Sequence, residues 1–96
     1  MTVNWTESAI GDLRSIEHYI SRHSGPYARA MVDKIFSRTE VLQDMPRLGS
    51  VVPEFEDELL RELFEHPYRV VYRIVNDARI DVVAVVHSAR RMPRSL

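Results

Sequence analysis

Two arginines, Arg69 and Arg73, interrupt the stretch HPYRVVYRI at residues 66–74, which otherwise has the alternating apolar pattern of a β-strand. A guanidinium is costly to bury alone, so each of these side chains must meet either an acid or a ligand. Its planar fork suits two kinds of ligand group, phosphate and carboxylate. The next apolar run ends at His87, a residue type that carries a proton near neutral pH. Beyond it stand Arg90, Arg91 and Arg94. Anion recognition is the chemistry these residues offer, with acid–base catalysis added if His87 lies beside an arginine. Thiolate chemistry has no footing without cysteine, and His18, His23 and His66 lack metal-ligand spacing, so neither metal nor cofactor is expected.

The elements that must hold these residues follow from periodicity. Val3 to Trp5 reads as a short strand, and Thr6-Glu7 as a helix cap with an acid in the first turn. A first helix is predicted from Glu7 to Arg22, because Ala9, Leu13, Ile16 and Ile20 share one face. Ser24-Gly25-Pro26 breaks it and starts a second, whose inner stripe is Ala28, Val32, Ile35, Thr39 and Leu42, ending near Met45-Pro46. MPRLGSVVPEFEDE, residues 45–58, reads as an ordered surface loop. Leu59–Glu65, Tyr68–Val75 and Arg79–His87 then alternate with period two. The expected fold is α+β: an antiparallel helical hairpin on a mainly antiparallel sheet, in the order β-α-α-β-β-β, forming one domain over residues 1–96.

Alternation puts Tyr68, Val70, Tyr72 and Ile74 on one face of the central strand, and Arg69, Val71, Arg73 and Val75 on the other. A three-residue turn at 76–78 would set Ile74 opposite Ile80, Arg73 opposite Asp81, Val71 opposite Val83 and Arg69 opposite Val85. In this register Arg73 gains a cross-strand acid and Arg69 gains none. Val71, Val83 and Val85 would form an open apolar patch among charges, on a sheet face the helices leave bare. Such a patch marks an interaction surface.

Composition narrows the class. In 96 residues, 45% are hydrophobic and 28% charged, which fits a small globular fold and excludes a disordered chain. No segment reaches the ~20 apolar residues of a membrane span, and the first residues lack a signal-peptide pattern, so a cytoplasmic location is expected. A net charge of −1 argues against a general nucleic-acid binder. The charge is nevertheless divided: residues 61–96 carry seven arginines against four acids. The basic groups are therefore gathered where the candidate residues lie.

Four stretches in order, WTESAIGDLRSIEHYI, LQDMPRLGSVVPE, RELFEHPYRVVYRI and VVHSARRMP, resemble the RelE/ParE superfamily, the toxin halves of bacterial type II toxin–antitoxin modules. The resemblance spans nearly the whole chain. It implies a cytoplasmic growth-arrest toxin, a cognate antitoxin whose otherwise disordered segment wraps it, and a toxin–antitoxin hetero-oligomer. HSARRMP is more similar to the ParE and plasmid-stabilisation branch, whose characterised members inhibit DNA gyrase; Arg90, Arg91 and Arg94 would then bind the target. The RelE branch cuts messenger RNA on the ribosome, without metal, using a basic cluster and often a C-terminal tyrosine. Arg69 is similar by position to one member of that cluster, Arg61 and Arg90 fall near others, and His87 would move the proton. No tyrosine follows Tyr72, a departure from that branch. The antitoxin contact is expected at Arg69, Val71, Arg73, Val83 and Val85. A non-toxic binding module is the third reading.

Overall fold

The computed structural model describes residues 1–96. Its elements are β1 (Thr2–Trp5), α1 (Glu7–Ser21), α2 (Gly25–Glu40), a 3-10 turn (Val41–Gln43), β2 (Ser50–Val51), β3 (Leu60–Glu65), β4 (Tyr68–Asn76) and β5 (Arg79–His87). The five strands form one sheet in the order β1-β5-β4-β3-β2. All neighbours are antiparallel except β1 and β5: the helical hairpin carries the chain from β1 to β2 at the opposite edge, and the antiparallel strands β2 to β5 then return it to lie beside β1. The two-helix, antiparallel-sheet architecture expected from the sequence is present. Within the predicted 45–58 loop, Ser50 and Val51 pair with Glu62 and Arg61 and add an edge strand. No helix is long and apolar enough to cross a membrane.

Capping residues set where the helices begin. The Thr6 hydroxyl accepts the Ala9 amide at 3.1 Å and donates to the Val82 carbonyl at 3.1 Å, joining the start of α1 to β5. Ser24 accepts the Tyr27 amide at 3.2 Å, and Pro26 fits the first turn of α2. Ala9, Leu13 and Ile20 of α1 and Ala28, Met31 and Ile35 of α2 then close over Leu63, Val70, Tyr72, Ile80 and Val82. Trp5 stacks on Phe36 with ring centroids 4.8 Å apart, sealing the β1 side of this core. Asp12 of α1 does not pack but bonds to the sheet. Its carboxylate accepts the Val85 amide at 3.0 Å, on the length of β5 that extends past the end of β1.

The other face of the sheet carries a second core. Val52, Leu60, Val71, Ala84, Val86 and Met92 are buried together, with Phe55, Val83 and Leu96 packed around them. The face that the sequence suggested was bare is covered by the chain's own 52–60 segment and its C-terminal segment.

Candidate functional site

The candidate residues sit around this second core, and a β-bulge decides which of them meet. Ile74 pairs with Ile80 and Arg73 with Asp81 as expected, although the turn is two residues, Asp77-Ala78, with Asn76 paired to Arg79 and an irregularity at Val75 restoring the register. Tyr72 then pairs with Val82 but Val71 pairs with Ala84, so Val83 is an extra residue on β5. Beyond it every β5 side chain changes face relative to simple alternation. Arg69 lies opposite Val86 rather than Val85, and Val85 turns into the helix-side core. Val71 is 0% exposed and Val85 5%, while Val83 is half-buried. The expected open patch of Val71, Val83 and Val85 is therefore replaced by two buried residues on opposite faces and one at a core margin.

Arg69 is not free either. Its guanidinium meets Glu54 fork to fork, with both Nη–Oε distances at 2.8 Å, and it also donates to Glu62 from Nε at 2.5 Å and Nη2 at 3.1 Å. Four charge-assisted hydrogen bonds satisfy one cation with two carboxylates. The arginine side chain is only 13% exposed. The two carboxylates raise the Arg69 pKa above its ordinary value, chiefly through Glu54, and Arg69 lowers that of Glu54. Glu62 stands opposite Val71, one diagonal step from Arg69, and Glu54 reaches in from a turn closed by the Phe55 amide on the Val52 carbonyl. The acid that register alone did not supply comes from β3 and from that turn.

The remaining sequence candidates are spread over the molecule. Arg73 reaches Asp57 at 3.3 Å instead of Asp81, because Arg79 holds Asp81 through two contacts of 2.9 Å and Asn4 adds a third at 3.2 Å. That arrangement lowers the Asp81 pKa, mainly through Arg79. Arg61 pairs opposite Tyr72 and donates to backbone carbonyls, Nε to Glu58 and Nη1 to Gly49, both at 2.8 Å. His87 pairs opposite Tyr68, on the face away from Arg69, with the two rings edge to face at 5.5 Å. Its Nδ1 accepts the Ala89 amide at 3.0 Å. Continuing the simple register past Val85 would set His87 one diagonal step from Arg69, but the bulge moves His87 to the other face.

Arg90, Arg91 and Arg94 are exposed, and what flanks them is informative. The Ser88 amide donates to the Pro67 carbonyl at 2.8 Å and the Arg90 amide to the His87 carbonyl at 2.9 Å, turning the chain at the end of β5. Met92, between the arginines, is 5% exposed in the second core. One buried thioether thus seats the segment that carries three exposed arginines against the sheet. Sequence reasoning did not find Met92, Val52, Glu54 or Glu62 as part of this site. Only Glu62 left a usable signal, its alternation with Leu60 and Phe64 onto the Arg69 face.

A family model described as the ParE toxin of type II toxin–antitoxin systems, parDE, matches residues 3–92. A solved structure described as the chromosomal ParDE TA system from P. aeruginosa is similar, with a TM-score of 0.73 and 26% identity over 91% of this chain and 95% of that one. No curated protein matches the sequence.

Proposed function

The chain belongs to the ParE toxin family of type II toxin–antitoxin systems, and on that premise we propose that it arrests growth by binding DNA gyrase through Arg90, Arg91 and Arg94. A cognate antitoxin would hold it inactive in a hetero-oligomer, as the ParDE relative suggests. The observation that carries the target-binding reading is the burial of Met92 between exposed arginines. A tail that merely frays would not seat an apolar side chain in a core. A segment already seated on the sheet loses less backbone freedom when its guanidinium groups meet a partner surface, which favours recognition of carboxylate or phosphate there.

The dispersion of the nuclease set argues in the same direction. Cleavage by the ribose 2′-hydroxyl needs a proton carrier and charge stabilisation around one phosphate. Here Arg69 is neutralised by Glu54 and Glu62, Arg61 is spent on backbone carbonyls, and His87 faces away from Arg69. Contact, rather than bond chemistry, is the activity these positions support.

The test is to give purified protein to a gyrase supercoiling reaction and to translating ribosomes in parallel. Inhibited supercoiling with intact message is expected, and it should be lost in Arg91→Ala/Arg94→Ala while His87→Ala behaves as the parent. Message cleavage that falls about 10²–10⁴-fold in His87→Ala would make the protein a nuclease instead.

A further inference from the structure

The socket that receives Met92 has a wall the sheet does not provide. Its floor is Leu60 on β3, Val71 on β4, and Ala84 and Val86 on β5. The wall is Val52, with Phe55 packed alongside, and these two residues are the ends of the turn whose middle is Pro53-Glu54. Val52 is tied to the sheet by its amide on the Leu60 carbonyl at 3.1 Å. The opposite side of the turn is held by Phe55 packing on the core and, by hydrogen bonds, through Glu54 in its fork on Arg69. Arg69 is itself part of the socket's surround: Val71 follows it on the same face of β4, and Val86 lies directly across on β5. Glu62, 15% exposed, holds the guanidinium from the β3 side and aims its fork at the turn.

We propose that Glu54 and Arg69 are positioning residues for the C-terminal arginines, forming a clamp that closes the Val52–Phe55 turn over Met92. Opening the fork loosens the turn, the turn loosens Met92, and the segment that carries Arg90, Arg91 and Arg94 loses its seat on the sheet. Arg69 thereby governs target binding without touching the target. This part rests on the reading of the tail as the target-binding element; the clamp itself does not. The coupling is local, since the helix-side core shares no buried residue with the socket. A local opening is readable against a global one because the chain carries a methionine in each core.

Met92 and Met31 are each 5% exposed, Met92 in the socket and Met31 under the helices, whereas Met45 is 51% exposed. Dilute hydrogen peroxide followed by peptide mass spectrometry gives the sulfoxide rate at each site, with Met45 as the internal reference. In Arg69→Ala, and in Glu54→Gln, which removes one half of the fork at an exposed carboxylate, Met92 should oxidise about tenfold faster while Met31 stays protected, because access follows the population of the open form. The same two variants should lose gyrase inhibition alongside that change. Arg91→Ala/Arg94→Ala should lose inhibition with Met92 still protected. Unchanged Met92 oxidation in Glu54→Gln, or equal acceleration at Met31 and Met92, overturns the clamp whatever gyrase does. Faster Met92 oxidation with full inhibition leaves the clamp standing and removes the tail reading.

Discussion

Gly49 lies against Tyr72 so closely that its amide donates to the phenolic oxygen at 2.9 Å, and a Cβ placed on it would stand 2.8 Å from that oxygen. The same hydroxyl donates to the Pro46 carbonyl at 2.7 Å, and Arg61 holds the Gly49 carbonyl from the other side. One buried tyrosine therefore fastens the segment that leads from the helices into β2. Gly49→Ala would also press on the Glu62 carbonyl, 2.5 Å from the new carbon, a backbone atom with little room to yield. We expect a loss of about 1–3 kcal/mol from overpacking, read as a lower denaturant midpoint with unchanged slope. Tyr72→Phe should cost about 1–3 kcal/mol by leaving the buried Gly49 amide unpaired. A neutral outcome for both would remove the fastening role.

Asp12 stands in for a missing strand. β1 ends at Trp5, opposite Val82, and the Val85 amide farther along β5 is answered by the Asp12 carboxylate at 3.0 Å. An unanswered edge amide is a template for pairing with another chain. Asp12→Ala should cost about 1–3 kcal/mol and promote self-association, while Asp12→Asn keeps an acceptor and should behave near the parent. Sedimentation at rising concentration distinguishes them. Equal behaviour of the two variants would show that the contact carries no weight.

Acid should loosen the Glu54–Arg69 fork. Arg69 holds the Glu54 carboxyl below its ordinary pKa of 4.5, so this pair contributes stability above that value and loses it as pH falls through the folded-state pKa. Thermal melts of the parent and Glu54→Gln should therefore differ at neutral pH and converge in acid. With Glu54 43% exposed, the difference at neutral pH is small. A gap that persists unchanged below the folded pKa would mean that the pairing is not its source.

Burial separates two valines that simple alternation treats alike. Val71 is 0% exposed beneath the second core and Val83 is half-buried at the bulge. Val71→Asp places an unpaired charge under Met92 and Leu60 and should abolish soluble folded protein, a penalty of several kcal/mol. Val83→Asp can turn its carboxylate toward water and should retain a cooperative melt. Soluble yield and melting curves give the comparison, and a well-folded Val71→Asp would contradict the buried position.

The helices and the three long strands were legible because each has a strong period, and the Arg73–Asp81 register came out as expected because an irregularity at Val75 offsets a turn one residue shorter than the one read from the sequence. The bulge at Val83 was not legible. Val82-Val83-Ala84-Val85-Val86 is apolar at every position, so a one-residue shift leaves no mark on the pattern, yet it exchanges the faces of Val85 and Val86 and removes His87 from the Arg69 side. The second core was hidden for another reason. Val52 and Met92 come from segments without periodicity, and their meeting over Val71 is a property of the whole chain path. Glu54 lay in an acidic run that reads as solvated surface until a turn directs it onto Arg69.

β1 enters the sheet only by lying parallel to β5, and the Thr6 hydroxyl reaches a carbonyl 76 residues away. During synthesis, the first strand must therefore wait for nearly the entire chain to leave the ribosome before it has a neighbour. The helical hairpin, built from nearby residues, can form early, but the sheet is completed late, and long-range pairing of this kind slows folding. Translation interrupted before Arg79 releases a chain whose first strand has no neighbour in the sheet. Prematurely terminated copies thus present an unpaired strand and an incomplete sheet.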